Sequence, residues 1–342
     1  FLPGPASSQL GIAFGLYRAG YRGALAAWAG FTLPSALFLI AFAYALQTWR
    51  ISPDTPWLHG LRIAAVAIVT ATVWEMAAVH LHGLPRRLIA LGATVLVIMW
   101  ASIAAPVTAI LLSGLIGWRF FALGQDLAGV EEPLHFPISK RVSLCCLTLF
   151  LTLLLGLPLL NALLQTQATQ VAAGFFWAGT FVFDGGPGVL PLLHQTVVPP
   201  GWVTNDQFIS GFAAAEAMPG PLLTFSGYLG AVMTGGLTGW QGGVFALVAT
   251  LLPSSLVILS ALPFWHHLHR WPGSPGALQG INAAVVGILL AALYAPIWST
   301  AIVAPRDALL AGVGLLLLMV FRLPPIAIVV LMAVVSTLLA RW

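Results

Sequence analysis

The sequence predicts an all-α polytopic membrane protein made of two homologous, inverted repeats with broken helices, about 10-11 membrane elements in total. Three observations carry this. Of 342 residues, 60% are hydrophobic and only 6% charged, with a mean hydropathy of +0.99. A soluble chain carries about 25% charged residues and could not cover a water-facing surface with so few. Apolar runs near the ~20 residues that span a bilayer recur along the chain, without the alternation of a transmembrane β-barrel. Finally, Leu2-Pro3-Gly4-Pro5 returns as Met218-Pro219-Gly220-Pro221, and Leu33-Pro34-Ser35 returns as Leu252-Pro253-Ser254. The offsets are 218 − 2 = 216 and 252 − 33 = 219. Pro-Gly-Pro cannot continue a helix, because its two proline nitrogens carry no N–H and its glycine favours no single conformation.

The elements follow in order. Full-length spans are expected at Gly23–Leu46, Leu61–Val79, Ser143–Leu160, Val244–Leu262, Ala277–Trp298 and Pro324–Ala340. Shorter or tilted helices are expected at Leu88–Trp100, Pro106–Trp118, Val171–Phe183 and Leu309–Phe321. Many of the 13 tryptophans sit at segment ends, as interfacial belts require. The repeat extends further: Gly60–Val66 matches Gly280–Val286 at offset 220, and Arg86 matches Arg306. The expected organisation is a first repeat over 1–121, a polar linker over 122–141, a connecting transmembrane helix over 142–160 and a second repeat over 161–342. The unit upstream of the second Pro-Gly-Pro has no counterpart before Phe1, so the first repeat reads as N-terminally truncated.

Charge sets the expected orientation. Arg18, Arg22, Arg86, Arg87, Arg119, Lys140 and Arg141 fall on one side and Arg50 on the other, so the basic side is expected to be cytoplasmic. In the second half the loop Thr234–Gly243 has no charge, while the loop matching that of Arg50 carries His266, His267, His269 and Arg270. An inverted second repeat, turned over by the Ser143–Leu160 helix, fits this pattern. The net charge of +4 lies in loops and reads as topology, so no nucleic-acid partner is expected.

A helix that begins inside the membrane offers unpaired N–H groups and the positive end of its dipole, a fit for an anion. The segments opening at Pro3, Gly4, Pro5 and at Pro219, Gly220, Pro221 are such starts, with Ser7, Ser8, Thr224 and Ser226 as hydroxyl donors; the plain alternative is a tight turn at the membrane surface. Arg62, two residues into its helix, is an anion anchor or snorkels to the interface; its repeat partner is Asn282. Glu75 and Glu216 are candidate proton carriers, because a buried carboxylate is costly unless paired or protonated. A salt bridge is the other reading of Glu75, and a partner for the next helix N-terminus that of Glu216. Arg18 and Arg22 attract anions at the cytoplasmic mouth or serve as topology signals. Asp184 reads as a helix cap at Gly185-Gly186. His266-x-x-His269 reads as an interface loop rather than a metal site, and adjacent Cys145 and Cys146 point different ways. No P-loop, Rossmann or hydrolase motif occurs in the chain, so any uphill work would draw on an ion gradient.

The Gly185–Gly188 turn, the Leu190-Pro191-Leu192-Leu193 stretch, the Gly201–Phe208 segment and the Pro219–Phe225 run together resemble the chromate ion transporter family, and Leu2–Pro5 with Leu33-Pro34-Ser35 fit its first half. The resemblance covers nearly the whole chain. It implies the long, two-domain form: a non-enzymatic, multi-pass inner-membrane antiporter that effluxes chromate or the related oxyanion sulfate. It also implies Gly185 and Gly186, beside the other residues named above, as substrate-binding positions. A sulfate or other anion carrier or channel without a chromate role is the alternative. The expected partners are the oxyanion and the lipid bilayer, with a homodimer left open and no cofactor. The chain departs from the family pattern at Asp184, at His194-Gln195-Thr196 and at Glu216.

Overall fold

A computed structural model describes residues 6–52, 55–100, 102–121, 138–182, 187–264 and 274–340. The regular structure of the described residues is all helical, with no strand among them. In chain order the α-helices are α1 (Ala6–Thr48), α2 (Pro56–His80), α3 (Leu84–Met99), α4 (Ala104–Phe120), α5 (Lys140–Leu164), α6 (Gln167–Thr180), α7 (Leu190–Val197), α8 (Asn205–Glu216), α9 (Phe225–Val232), α10 (Gly239–Ala261), α11 (Ser274–Ala292), α12 (Pro305–Met319) and α13 (Pro325–Leu339). Helix α11 runs on through a π-helical turn, Leu293–Trp298, and one last α turn, Ser299–Ala301. Among the described residues, five helical stretches are long and apolar enough to cross a membrane: Ser7–Thr48, Pro56–His80, Lys140–Leu164, Gly239–Phe264 and Pro275–Ala301. Every span expected from the sequence coincides with a helix, and α5 covers the expected span Ser143–Leu160.

The helix at the start of the chain is folded back on itself. Ala19 and Gly20 leave the helical conformation, Gly20 with φ 61°. Residues 6–18 therefore return antiparallel against residues 21–48, and a Cβ at Gly15 or Gly23 would collide with the backbone of the other. The pair α9–α10 is built the same way: Gly230 and Gly242 meet backbone to backbone across the turn. Glycine at these crossings lets two helix axes approach closely, which in a membrane replaces the missing hydrophobic drive between helices. Both long helices carry an internal proline, Pro34 and Pro253, and the serine after each donates to a carbonyl three residues back. Ser35 Oγ donates to Thr32 O at 3.1 Å and Ser254 Oγ to Leu251 O at 2.9 Å.

Helices α8 and α9 form a hairpin with a break at its tip. The motif Gly201-Trp202-Val203-Thr204 ends in a capping box: Thr204 Oγ1 accepts from Gln207 N at 3.2 Å, and Gln207 Oε1 accepts from Thr204 N at 3.0 Å. Phe225 packs edge-on against Phe208 and Phe212, and Tyr228, one turn on, donates its hydroxyl to Gln207 O at 3.1 Å. The pairing is antiparallel, so α8 enters and α9 leaves from the same end. Thr234 N donates to Trp202 O at 3.0 Å, and Gln167, at the start of α6, bonds Thr234 O and Gly236 N, which gathers these segments at that end. The C-terminal end of α1 is there too: Gln47 Nε2 donates to Ala231 O at 3.0 Å, Tyr44 lies over Gly239 and Ile40 over Gly243. Helices α1 and α10 are thus antiparallel.

The remaining contacts define the opposite end. Arg86 bonds Gln279 at 2.5 Å and Thr94 bonds Gly287 O at 2.9 Å, so α3 and α11 are parallel. His59 meets Asp307 and Ala67 meets Gly314, so α2 and α12 are parallel as well. Arg86 also lies 5.5 Å from the Phe121 ring centroid, and Ile138 packs with Leu16 and Leu262. Among the described residues, one end of the bundle therefore collects Arg18, Arg22, Arg86, Arg87, Arg119, Lys140, Arg141 and Arg322, and the other Arg50 and Arg306. The segments at 122–137 and 265–273, which include most of the expected linker and the His266–Arg270 cluster, lie outside the described residues.

Candidate functional site: two cavities along helix α8

Helix α8 has a cavity at each of its two ends. At the basic end a cavity of about 580 Å³ is lined by Thr72 and Glu75 of α2, Glu216 at the last position of α8, and Arg322 with Leu323 and Pro324 after α12. At the other end a cavity of about 320 Å³ is lined by Gln47, Arg50, Asp206, Gln207, Ser210 and Tyr228, among others. Between the two, Gly211–Ala215 of α8 are buried. Two acids singled out 141 positions apart in the sequence (216 − 75 = 141) thus share one cavity. Glu75 is exposed and Glu216 half-buried, and among the described residues neither has an ion-pair partner. That sets aside the salt-bridge reading of Glu75 among the described residues.

Arg62 lies inside the bundle. It is 5% exposed, so it does not snorkel to the interface, and its guanidinium is engaged by the carboxylate of Asp206 in the first turn of α8. The ion pair ties α2 to the entrance of the α8–α9 hairpin. Asp206 was legible only as part of the Gly201–Phe208 motif; a lone acid in the first turn of an otherwise apolar helix is the signal that would have marked it.

The tip of the hairpin holds Pro219-Gly220-Pro221. Gly220 has φ 149°, and a Cβ there would collide with Ser35 Oγ beside Pro34, halfway along the outgoing limb of α1. The second Pro-Gly-Pro is therefore an internal break against a proline-interrupted helix, and the surface-turn alternative fails for this copy. Thr224 and Ser226 are buried, but their hydroxyls donate to Pro221 O and Leu223 O at 2.8 and 2.7 Å, so both donors are used within the turn. In the first copy, Ser8 is buried with its Oγ unpartnered among the described residues, as is Thr32, whereas Ser7 is exposed. By the register of the Gly15–Gly23 crossing, Ser8 lies level with the turn before Thr32. Asn282 is half-buried on α11, away from both cavities. Arg18 and Arg22 are exposed at the basic end. Pro3, Gly4, Pro5, Asp184, Gly185 and Gly186 lie outside the described residues. Among the described residues no cluster of three metal-binding side chains occurs.

Sequence reasoning missed Arg322, the basic residue on the larger cavity. It stands alone between two apolar helices, ahead of Pro324-Pro325. A lone arginine next to a helix stop was the available clue.

Comparison with known proteins places this architecture. A family model described as chromate transporter matches residues 1–118 and 169–337. A chromate transport protein of Cupriavidus metallidurans is 26% identical over 94% of this chain and 76% of its own length. A probable chromate transport protein of Synechococcus elongatus is 25% identical over 85% of the chain and 70% of its own length, and a chromate transport protein of Pseudomonas aeruginosa 27% identical over 84% and 67%. No solved structure matches. With its all-helical multi-pass fold and the family match on both sides of α5, the chain belongs to the chromate transporter family, a family of membrane transport proteins rather than enzymes.

Proposed function

We propose that this chain is a secondary transporter that moves chromate, or the related oxyanion sulfate, outward across the bacterial inner membrane, coupled to a proton gradient through Glu75 and Glu216. The observation that carries the proposal is the single cavity shared by these two carboxyls in a chain of this family. Glu216, half-buried at the end of α8, is costly to keep charged, and either carboxylate, charged, would repel a dianion in the shared cavity. A proton on one or both removes that repulsion, which ties anion entry to proton binding. The basic end is the cytoplasmic one in this reading, by the bias of lysine and arginine.

The transporter is read as two inverted repeats. The reciprocity of contacts supports this: Gly60 of α2 rests on Met332–Ala333 of α13, while Gly280 of α11 rests on Ser113 of α4, with 60 + 220 = 280 and 113 + 220 = 333. Likewise His59 meets Asp307 while Gln279 meets Arg86, with 59 + 220 = 279 and 86 + 220 = 306. The antiparallel pairing of α1 with α10 supports inversion. The oxyanion is held where the Pro219-Gly220-Pro221 tip meets the proline-interrupted α1, with Ser8 and Thr32 as hydroxyl donors. The experiment is flux of labelled chromate and sulfate into proteoliposomes with and without an imposed pH gradient. Gradient-driven flux lost in Glu216→Gln is expected. Flux of neither anion, or flux indifferent to the gradient in both proteins, refutes the coupled-transport reading.

A further inference from the structure

Among the described residues, three non-glycine residues have left-handed backbones: Arg50 (φ 48°), Gln165 (φ 48°) and Arg322 (φ 53°). Two of the three are arginines, and each lines one of the two cavities at opposite ends of the bundle. Each also closes a helix. After α1, Ile51 N donates back to Leu46 O at 3.0 Å; after α12, Leu323 N donates back to Leu317 O at 3.2 Å. A left-handed residue just past a helix is normally glycine, since a Cβ is penalised there. The backbone would be better served by glycine at both places, so the arginine side chains are kept against local preference.

The charge of each cavity says what they are kept for. At the Arg50 cavity the one acid among the described residues is Asp206, already engaged by Arg62, which leaves Arg50 as the uncompensated charge of that described lining. At the other, Arg322 is the cation set beside Glu75 and Glu216. Neither guanidinium has a hydrogen-bond or ion-pair partner among the described residues. A guanidinium offers a planar fork of N–H donors that matches two oxygens of a tetrahedral dianion. Favourable interaction with the helix C-terminal dipole is the simpler account of a cation at these places, but it does not explain why both sit on cavity walls.

We propose that Arg50 and Arg322 are the anion-receiving groups of the two cavities, one at each end of the transport path, each taking a tetrahedral oxyanion dianion such as chromate or sulfate on its guanidinium. This rests on the transport reading above and adds two binding residues to it. The test uses sealed membrane vesicles of both orientations carrying the full chain, with labelled chromate as the probe and the variants Arg50→Gly, Arg50→Ala, Arg322→Gly and Arg322→Ala. Glycine removes the side chain and relieves the backbone; alanine removes the side chain and keeps the strain. Both variants of one arginine should raise the half-saturation concentration about tenfold in the orientation that presents its cavity, the size of one lost charge-assisted contact. The other orientation should change little, and the glycine variants should unfold at or above the wild-type temperature. Wild-type half-saturation in all four variants overturns the inference, as does a glycine variant with wild-type affinity beside an impaired alanine variant, which would trace the effect to the backbone. Wild-type protein that moves no chromate in these vesicles overturns the transport reading, and this inference with it.

Discussion

The ion pair between Arg62 and Asp206 should hold the α8–α9 hairpin against α2, and its worth can be bounded. Arg62 has 7% of its side chain exposed and Asp206 34%. Removing one partner of a fully buried pair costs about 3–5 kcal/mol, because the other charge is left without compensation. A fully exposed pair is worth no more than about 1 kcal/mol. With one partner buried and the other one-third open, Asp206→Asn should cost about 2 kcal/mol. Asparagine keeps the size and one acceptor but not the charge. Arg62→Met alone should cost less, since the acid it strands can reach water. The double variant should recover most of the loss, because no buried charge remains, which makes the coupling between the sites at least about 1.5 kcal/mol. The assay is unfolding of the purified protein in mixed micelles by a rising fraction of denaturing detergent, followed by tryptophan fluorescence, for the four members of the cycle. A coupling below about 0.5 kcal/mol would refute the argument, because it would put this pair with ordinary surface pairs.

Other expectations follow from the same geometry. Gly280→Val should prevent folding or cost more than about 3 kcal/mol, because its Cβ would meet the backbone of Ser113, whereas Gly92→Ala, with nothing within 4 Å, should be tolerated; detergent-extracted yield and melting temperature separate the two. Asp307→Asn should destabilise the start of α12 by about 1 kcal/mol, because Asp307 Oδ2 accepts from Val303 N and Ala304 N at 3.1 and 2.8 Å, and the same unfolding assay reads it. Cysteines placed at Thr234 and Arg50 should react with an impermeant thiol reagent from one face of the membrane, and cysteines at Arg22 and Arg322 from the other; Thr234 labelling with Arg22 would break the topology drawn from Gln47 and Ala231.

The membrane class and the positions of the long helices were fixed by composition and length. An apolar run near 20 residues has one low-energy solution in a bilayer, since a helix satisfies every backbone group internally. The break at Pro219-Gly220-Pro221 was equally local, because proline and glycine act on their own backbone. The nomination of Glu75 and Glu216 also needed only their chemistry and depth. Three things were decided by tertiary structure. The return of residues 6–18 against 21–48 depends on Gly15 meeting Gly23, a contact across a turn at Ala19–Gly20 that no periodicity announces. The role of Arg62 depends on which acid lies beside it, and that acid, Asp206, comes from a helix 144 positions later (206 − 62 = 144). The shared cavity of Glu75, Glu216 and Arg322 draws on three parts of the chain. Hydropathy and backbone chemistry are properties of a residue and its near neighbours, and a sequence carries them directly. A cavity wall or a buried ion pair belongs to the packing of helices distant in sequence, and only the folded chain brings its parts together.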